Sequence, residues 1–565
     1  MSAVDLMQAL EGRRLAGAEA EAEAVARGEA ALDVDVAIVG EGAIVSLLAA
    51  AVARGGRSVA VVEPASSAPA PASDLSTVPY SSELALLIGE RFGLPEVSSL
   101  ALLERAPAEL RAASGGKTSL GFVHHRPRRA QDPAEVVQFQ VPGEHAEWQP
   151  DRAALDAWAR SLAIAKGARV ETGAAGPATA EPVPGRAGDG DGAGERMRVE
   201  LAEGGSVTAR LVVDATPAGA PAGRRTISAD FEAVIPYEHV VAMRRYGLPL
   251  RPWSRGTLTH TFPGGWLQVT HRGNHDLARA TGTGIALTVG PEHVREGETP
   301  DALLERVLAE LPDLRAQLAR ARRTGDWHDT AAATPAAASA PITPATEDPR
   351  VLRLTTGAHE PLLARELTLG LELVHTAAAA LLAADLDDPA ATLAVARRRA
   401  DALLAHHDRI VHATLAATRS FPLVNALLRA WLLGSILEAL ALKRARLDEA
   451  ARGGWTALDT DAGAFWFDVP AALPAIVDAS LADAEDAAAR RTPPTAAADR
   501  IFARLRAERI VPPLYAFGDP EARVYRFTFP RRLRMLLWAT TVAPADFRRL
   551  LTKENVSGAR PPAES

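Results

Sequence analysis

The spacing of hydrophobic residues changes several times along this chain, and each change predicts a different structural element. Residues 34–64 contain a buried strand, a glycine turn, an apolar helix and a second buried strand that ends in an acid. This order is that of a βαβ unit, in which a helix joins two parallel strands. Residues 151–166 have apolar positions at helical spacing and stop before Gly167, so they predict a helix.

Strand periodicity dominates the middle of the chain, and helical periodicity dominates its end. The stretch MRVELAEGGSVTARLVVDATP alternates like a hairpin with Gly204 and Gly205 at its turn, and it ends in a buried strand. Short alternating segments fill residues 225–300, and nearly every segment after residue 360 has helical spacing. We therefore predict an α/β fold: a Rossmann-type domain with an inserted mixed β-sheet and a helical C-terminal region.

Low-complexity stretches and changes of period predict five regions along the chain. They are an N-terminal extension (1–30) that we expect to be flexible, a dinucleotide-binding unit (31–225) with a mobile Gly/Pro/Asp-rich loop (172–195), an inserted sheet that forms the substrate region (226–330), a return to the dinucleotide-binding unit (331–385) and the helical C-terminal region (386–565).

Composition narrows the classes of function. The chain has 565 residues, a formal net charge of -8 from 62 basic and 70 acidic residues, and no cysteine. This acidic balance does not indicate a nucleic-acid partner, and the lack of cysteine excludes disulfides, thiolate metal sites and cysteine nucleophiles. The most apolar stretches are interrupted by charges such as Arg365 and Arg429, so we predict buried or interfacial helices rather than membrane spans. We expect a cytoplasmic protein.

The glycine turn of the βαβ unit matches a dinucleotide-binding fingerprint in part. Gly40 and Gly42 stand where the tight turn and the close approach to pyrophosphate need glycine, and Glu63 ends the second strand where an acid binds the ribose. Val45 replaces the third glycine, and Glu41 adds a negative charge beside the expected phosphates. The fold is therefore predicted more firmly than the ligand.

Histidines offer few further sites. His271 and His275 have the spacing of a helical metal site, but Gly273 between them indicates a turn, so we predict no metal site. His124 and His125 are neighbours on a predicted strand, so at most one of them can face a cavity. The chain has no G-x-S-x-G elbow, P-loop or H-E-x-x-H motif.

Five segments occur in an order typical of one enzyme family. They are GGKTSLGFVHHRPRRAQDPAEVVQFQVPG (115–143), WQPDRAALDAWARSLAIAKGARV, LVVDATP, THTFPGGWLQVTHRGNH and GAHEPLLARELTLGLELVHTAAAALL. In this order they resemble the lysine-bearing strand, the Arg-Asp helix, the LVVDATG strand, the Gly-Gly-Trp strands and the turn before a long helix in the flavin-dependent halogenases. These enzymes are the tryptophan-halogenase-like branch of the aromatic-hydroxylase-type flavoproteins, and the resemblance covers roughly residues 34–550.

The resemblance implies an FAD-binding fold and a specific chemistry. In this family a separate flavin reductase supplies reduced FAD, and dioxygen and halide then yield hypohalous acid. A lysine passes the electrophilic halogen to a small aromatic or phenolic substrate, which can be carrier-bound. Lys117 matches that lysine in position. By the same resemblance Gly40, Gly42, Glu63, Arg152, Asp214 and Pro361 are expected to bind the cofactor, and Trp266 and His125 to line the substrate cavity.

The sequence departs from the family at four turns that face the cofactor. The departures are Glu41 with Val45, Leu75, Pro217, and Ala364 with Glu366. Glu366 would bring a carboxylate towards the halide site, where like charges about 4 Å apart repel by about 4 kcal/mol. Three functions therefore stay open: a halogenase-like oxidoreductase, a halogenase-fold partner protein in biosynthesis that binds FAD weakly or not at all, and a flavin monooxygenase.

Overall fold

The protein is described as a computed structural model. The described residues are 32–64, 75–141, 146–172, 180–183, 196–201, 205–216, 224–241, 247–330, 348–354, 362–363, 365–455, 458–459, 463–525 and 528–550. The predicted N-terminal extension (1–30) lies outside them, as do Pro217, Pro361 and Ala364.

The strands are numbered in chain order. They are β1 (Leu32–Val39), β2 (Val59–Glu63), β3 (Gly115–Lys117), β4 (Ser119–His124), β5 (Val136–Gln140), β6 (Glu147–Gln149), β7 (Arg169–Thr172), β8 (Ala180–Val183), β9 (Arg196–Glu200), β10 (Ser206–Asp214), β11 (Arg225–Glu232), β12 (Thr257–Phe262), β13 (Gly265–Arg272), β14 (Gly282–Val289), β15 (Arg322–Arg323), β16 (His328–Asp329), β17 (Val351–Arg353) and β18 (Val524–Tyr525).

The α-helices are numbered in the same way. They are α1 (Ala43–Arg54), α2 (Pro79–Arg91), α3 (Pro95–Ser98), α4 (Ala108–Ala113), α5 (Arg152–Ala165), α6 (Pro300–Glu310), α7 (Pro312–Gln317), α8 (Arg365–Ala383), α9 (Ala390–Ala417), α10 (Phe421–Arg452), α11 (Ala472–Ala488), α12 (Pro494–Ala507), α13 (Phe529–Thr541) and α14 (Ala545–Leu550).

A seven-stranded sheet is built around the predicted βαβ unit. Its order is β7-β2-β1-β10-β9-β8, and β17 also pairs with β10. Strand β1 is parallel to both β2 and β10, and its residues from Val36 to Val39 are buried, as expected of a strand covered on both faces. Helix α1 joins β1 to β2, so the predicted order for residues 34–64 is confirmed.

One part of the predicted loop at 172–195 is wrong. Residues 180–183 form β8, which pairs antiparallel with β9 at the edge of the sheet. Pro182 is tolerated in this strand because an edge strand needs ladder hydrogen bonds on one side only. Composition indicates turns in this segment, whereas pairing with β9 decides its structure.

A nine-stranded sheet forms the middle of the protein. Its order is β15-β11-β14-β13-β12-β4-β5-β18, with β16 also on β11. The strands predicted between residues 225 and 300 are present as β11 to β14. Strand β4 joins them because it runs parallel to β12, with Leu120 opposite Thr257. The sheet thus extends beyond the predicted insertion, since local periodicity cannot show which sheet a strand joins.

Helices fill most of the chain after residue 365, as predicted. Helices α8 and α10 are long and apolar enough to cross a membrane, but 83% and 72% of their most apolar windows are buried inside the protein. Helix α8 packs on both α1 and α2, and α10 packs on α2, α12 and α11. Their buried side chains belong to one hydrophobic cluster that also contains residues of α1 and β1.

Candidate functional site

The turn after β1 keeps the close backbone approach of a dinucleotide-binding fold. Gly40 donates its N–H to the Val62 carbonyl at 3.1 Å. A Cβ on Gly40 would lie 2.8 Å from the carbonyl oxygen of Ala215, so a side chain does not fit there. Gly42, with a φ of +90°, precedes the first residue of α1. Gly40 therefore makes the close turn that the sequence predicts, and Gly42 as a pyrophosphate contact stays a prediction.

An internal carboxylate lies at the N-terminus of α1, where this fold binds phosphate. Asp156 of α5 accepts a hydrogen bond from the Ala43 N–H at 2.7 Å. Burial raises the pKa of Asp156, although Arg152 and this hydrogen bond act to lower it. Burial also raises the pKa of Glu41, and the charges of Glu63 and Asp156 add to the effect. Acidic groups thus surround the helix end that would attract an anion.

Two arginines near this turn are paired with acids of the chain. Arg152 forms an ion pair with Glu366 at the start of α8. Arg160 donates hydrogen bonds to both carboxylate oxygens of Glu63, at 2.9 and 3.3 Å. Glu366 is therefore compensated rather than isolated, and Glu63 holds an arginine where the fingerprint expects ribose hydroxyls.

Asp214 has structural partners at the end of β10. One of its oxygens accepts hydrogen bonds from the Thr216 hydroxyl at 2.6 Å and the Thr216 N–H at 3.2 Å. The other lies 3.3 Å from the Nε of Arg353 in β17. These bonds close the turn that faces Gly40. Asp214 and Pro361 as cofactor contacts stay predictions.

The dinucleotide crease, defined by Gly40, Gly42 and Glu63, fits the ADP half of FAD in backbone shape. The charges around the crease oppose binding of the pyrophosphate, because Asp156 accepts one N–H of α1 and Arg152 and Arg160 already form ion pairs with acids of the chain. A pyrophosphate bound at α1 would have to share the helix end with Asp156 or displace it.

Lys117 is a fully buried amine with two partners. It ends β3, opposite Glu147 of β6, and opposed residues of an antiparallel pair have side chains on the same side. Its Nζ lies 2.8 Å from Glu147 Oε2 and donates a hydrogen bond to the Thr77 carbonyl at 2.6 Å. Its exposed fraction is 1%. An ammonium has three donors, so one N–H remains for a further acceptor.

Asn274 holds the backbone beside Lys117. Its side-chain oxygen accepts a hydrogen bond from the Gly116 N–H at 2.7 Å, and its amide nitrogen donates to the Gly116 carbonyl at 2.9 Å and the Ser254 carbonyl at 3.0 Å. Gly273, with a φ of +69°, makes the turn that presents this side chain. The loop therefore fixes the strand that carries the lysine.

A row of buried polar side chains crosses one face of the nine-stranded sheet. Trp266, Gln268 and Thr270 alternate along β13, and Thr259 on β12 lies opposite Gln268. All four are buried, and each has at least one side-chain polar atom without a partner among the residues that the structure describes. Such groups are costly unless water or a ligand satisfies them. We call these four residues the polar row.

The polar row begins beside the antiparallel pair of β3 and β6, which carries Lys117. Gln149 of β6 lies opposite Gly115 of β3 and donates a hydrogen bond to the Thr257 hydroxyl of β12 at 2.7 Å. Thr257 in turn lies opposite Thr270, a member of the polar row. The predicted cavity residue Trp266 and the predicted lysine thus belong to connected parts of the same sheet region.

His125 lies in a different buried cluster. Its Nε2 is 2.8 Å from His260 Nδ1, and both rings pack against Tyr237. Burial lowers the pKa of His260 to about 3, so this ring is neutral at physiological pH. The contacts described for His125 include neither Lys117 nor the polar row, and its place in a substrate cavity stays a prediction.

No group of three or more metal-binding side chains occurs among the described parts of the chain. His271 and His275 bind separate partners, since the first contacts the Thr283 hydroxyl at 3.1 Å and the second the Ser114 carbonyl at 3.0 Å.

Three residues of these sites were not predicted from the sequence: Asp156, Glu147 and Asn274. Each lies inside or beside a segment that carries the family resemblance. A search for polar residues four positions after Arg152, or opposite Lys117 in a predicted strand pair, would have found the first two. Asn274 could not be found in this way, because its partner is 158 residues away.

Comparison with known proteins gives consistent relatives. No family model matches the chain. The chain is 26% identical over 550 residues to monodechloroaminopyrrolnitrin halogenase PrnC of Pseudomonas fluorescens, covering 91% of this chain and 93% of PrnC. It is 26% identical over 561 residues to tetracycline 7-halogenase of Kitasatospora aureofaciens, covering 92% and 94%. A crystal structure of a variant of the halogenase PltM in complex with FAD has a TM-score of 0.73 at 20% identity, covering 87% of this chain and 99% of PltM.

Proposed function

From the premise that the chain belongs to the flavin-dependent halogenase family, we propose that it is a halogenase-like oxidoreductase. Its substrate would be a small aromatic or phenolic compound of natural-product biosynthesis, free or carrier-bound. A separate flavin reductase would supply reduced FAD, and the enzyme would work in the cytoplasm. The observation that carries this proposal is Lys117, a fully buried amine with one donor to spare on the strand that resembles the family's lysine strand.

The dinucleotide crease would hold the ADP half of FAD, with pyrophosphate near the remaining amides at the start of α1 and ribose near Glu63. When bound, reduced FAD would activate dioxygen, the oxidant that turns halide into an electrophile. The chain's own residues would then deliver the halogen. The free N–H of Lys117 would bind the incoming hypohalous acid, and a dry environment would strengthen that hydrogen bond.

Glu147 supports the role of Lys117 in two ways. Its carboxylate fixes the lysine side chain through the 2.8 Å contact. It is also the acceptor to which Lys117 would give a proton, freeing the nitrogen lone pair to take up the halogen as the O–halogen bond of the hypohalous acid breaks and its hydroxyl leaves as water with an N–H proton. The polar row would border the aromatic substrate, since its unpartnered groups can hydrogen-bond a hydroxyl or amine.

The proposal is tested by replacing the lysine. We expect Lys117→Ala to abolish halogenation of phloroglucinol, indole and phenol in the presence of bromide, FAD and a flavin reductase, while FAD affinity is unchanged. Lys166→Ala is the matched control, because Lys166 pairs with Glu96 on the surface. Unchanged product formation in Lys117→Ala would remove this lysine from the mechanism.

A second function is favoured by the acids around α1. The Asp156 contact and the Arg152–Glu366 pair occupy groups that a bound dinucleotide would use. If they exclude FAD, the chain would be a halogenase-fold partner protein in biosynthesis. Titration with oxidised and reduced FAD separates the two functions: micromolar or tighter binding of either form rejects the partner protein, and no binding of either form rejects the halogenase. Hydroxylated instead of halogenated product would indicate a flavin monooxygenase.

A further inference from the structure

A pocket lies among four helices of the C-terminal half. It is a cleft between the start of α8 and the helices α9, α10 and α11, with about 470 Å³ of space not filled by protein atoms, open solvent included. Most of its wall is apolar, with Ile410, Trp431 and Val477 on three different helices. Sites for small organic molecules have this mostly apolar lining with a few polar groups.

Arg365, the first residue of α8, lines this pocket as a buried cation. Its exposed fraction is 6%. Its Nε has no hydrogen-bond partner, and no carboxylate within ion-pair distance of its guanidinium is found in the described part of the chain. Burying a charge without a contacting partner costs several kcal/mol, so such a residue is retained at a cost to stability. Its charge acts on the buried carboxyls of Glu372 and Glu438, and lowers the pKa of each, without an ion pair to either among the described residues.

The other polar groups of the pocket do not cancel this charge. Burial lowers the pKa of His406 to about 3, and the nearby Arg365 and Arg409 add to this effect, so the ring is neutral. Burial raises the pKa of Glu438 to about 7, although Arg365 acts to lower it, so this carboxyl is only partly ionised at neutral pH. Arg365 is therefore the permanent charge of the pocket.

We propose that this pocket binds a small organic acid, with its carboxylate on Arg365 and its apolar body between Ile410, Trp431 and Val477. A guanidinium is suited to a carboxylate because its parallel N–H groups match the two oxygens. A halide ion alone would satisfy the charge but make no use of the apolar wall formed by Ile410, Trp431 and Val477. The described contacts of Lys117 include no residue of this pocket, so the inference goes beyond the proposed function and does not depend on it.

The test compares an acid with its neutral amide. Calorimetric titration of the full chain at pH 7, without flavin, would use 1-naphthoate and 1-naphthamide as probes and potassium iodide as a third arm. We expect naphthoate to bind at least tenfold more tightly than naphthamide to the unmodified protein, and Arg365→Gln to remove that difference. Arg409→Gln is the matched control, because Arg409 pairs with Glu485 and Asp478 outside the pocket and should leave binding unchanged.

A second variant tests whether the charge of Arg365, rather than a change in folding, controls binding of the acid. Glu438→Gln removes the internal carboxyl that competes for Arg365 and should bind naphthoate as tightly as the unmodified protein or more tightly. Circular dichroism and thermal melting verify that both variants fold. Equal binding of acid and amide by the unmodified protein, binding of iodide only, or unchanged naphthoate binding in folded Arg365→Gln would each overturn the proposal.

Discussion

The Lys117–Glu147 pair offers the sharpest test of how the lysine is held. Replacing Lys117 with Met leaves the Glu147 carboxylate buried without its partner. Replacing Glu147 with Gln likewise leaves the Lys117 ammonium buried without its ion-pair partner. The double variant removes both charges. We therefore expect each single change to destabilise the protein strongly and the double change to recover much of the loss.

The magnitude follows from distance and burial. At 2.8 Å between Nζ and Oε2, the attraction is about 6 kcal/mol at an effective dielectric constant of 20. Desolvation of both groups offsets much of this gain, and breaking such a buried pair from one side costs about 3–5 kcal/mol. The double variant should cost much less than the sum of the single variants, so the coupling energy should exceed about 2 kcal/mol.

The assay is urea unfolding followed by tryptophan fluorescence. Trp148, which follows Glu147 on β6, is buried and therefore reports on unfolding of this region. The control is the same cycle on Lys166 and Glu96, which are 2.7 Å apart but partly exposed. That pair should couple by less than about 1 kcal/mol. A coupling energy for Lys117 and Glu147 as small as the control's would refute the reasoning that burial makes this pair strong.

Three further predictions concern charge and position elsewhere. Asp156→Asn should tighten FAD binding about tenfold, or by about 1.4 kcal/mol, because it removes a negative charge at the phosphate end of α1; equal or weaker binding in a fluorescence titration would contradict this. Burial and the charge of Glu372 raise the pKa of Glu438 from 4.5 to about 7, with Arg365 opposing. The folded state therefore keeps this proton more tightly than the unfolded state does. The resulting stabilisation is complete below pH 4.5, and about 3 kcal/mol of the free energy of unfolding is lost as the pH rises from 4.5 through 7. Glu438→Gln should remove that loss when urea midpoints at pH 5 and 8 are compared, and an unchanged pH dependence would refute it. Asn274→Ala should cost about 1–3 kcal/mol of stability and lower the halogenation rate by loosening the lysine strand; a rate equal to that of the unmodified protein would argue against a positioning role.

Much of the fold could be predicted from local pattern. The βαβ order, the helix that begins after Asp151 and the strands between residues 225 and 300 all follow from spacing, since a strand or helix buries one face at a fixed period. The side chain of Asp151 accepts a hydrogen bond from the Ala154 N–H at 2.9 Å, as an N-cap residue should. Strand β8 was missed because only its pairing with β9 outweighs a composition typical of loops.

Candidate residues of the site could be named from the sequence, but the ion pairs and hydrogen bonds that they form could not. Motif order pointed to Lys117, Arg152 and the glycine turn. That Arg152 binds Glu366 could not be predicted, because those residues are 214 positions apart and meet only when α5 and α8 converge.

The sequence by itself determined most of the elements and singled out Lys117 as a candidate, because periodicity and motif order are local properties. The tertiary structure alone decided which charges are compensated. Asp156 lies 113 residues from Ala43, yet it occupies the first N–H of α1. Arg365 is one residue before Glu366, yet only Glu366 finds an ion-pair partner among the described residues. Electrostatic free energy depends on distance and burial in the folded protein, and neither quantity is set by neighbours along the chain.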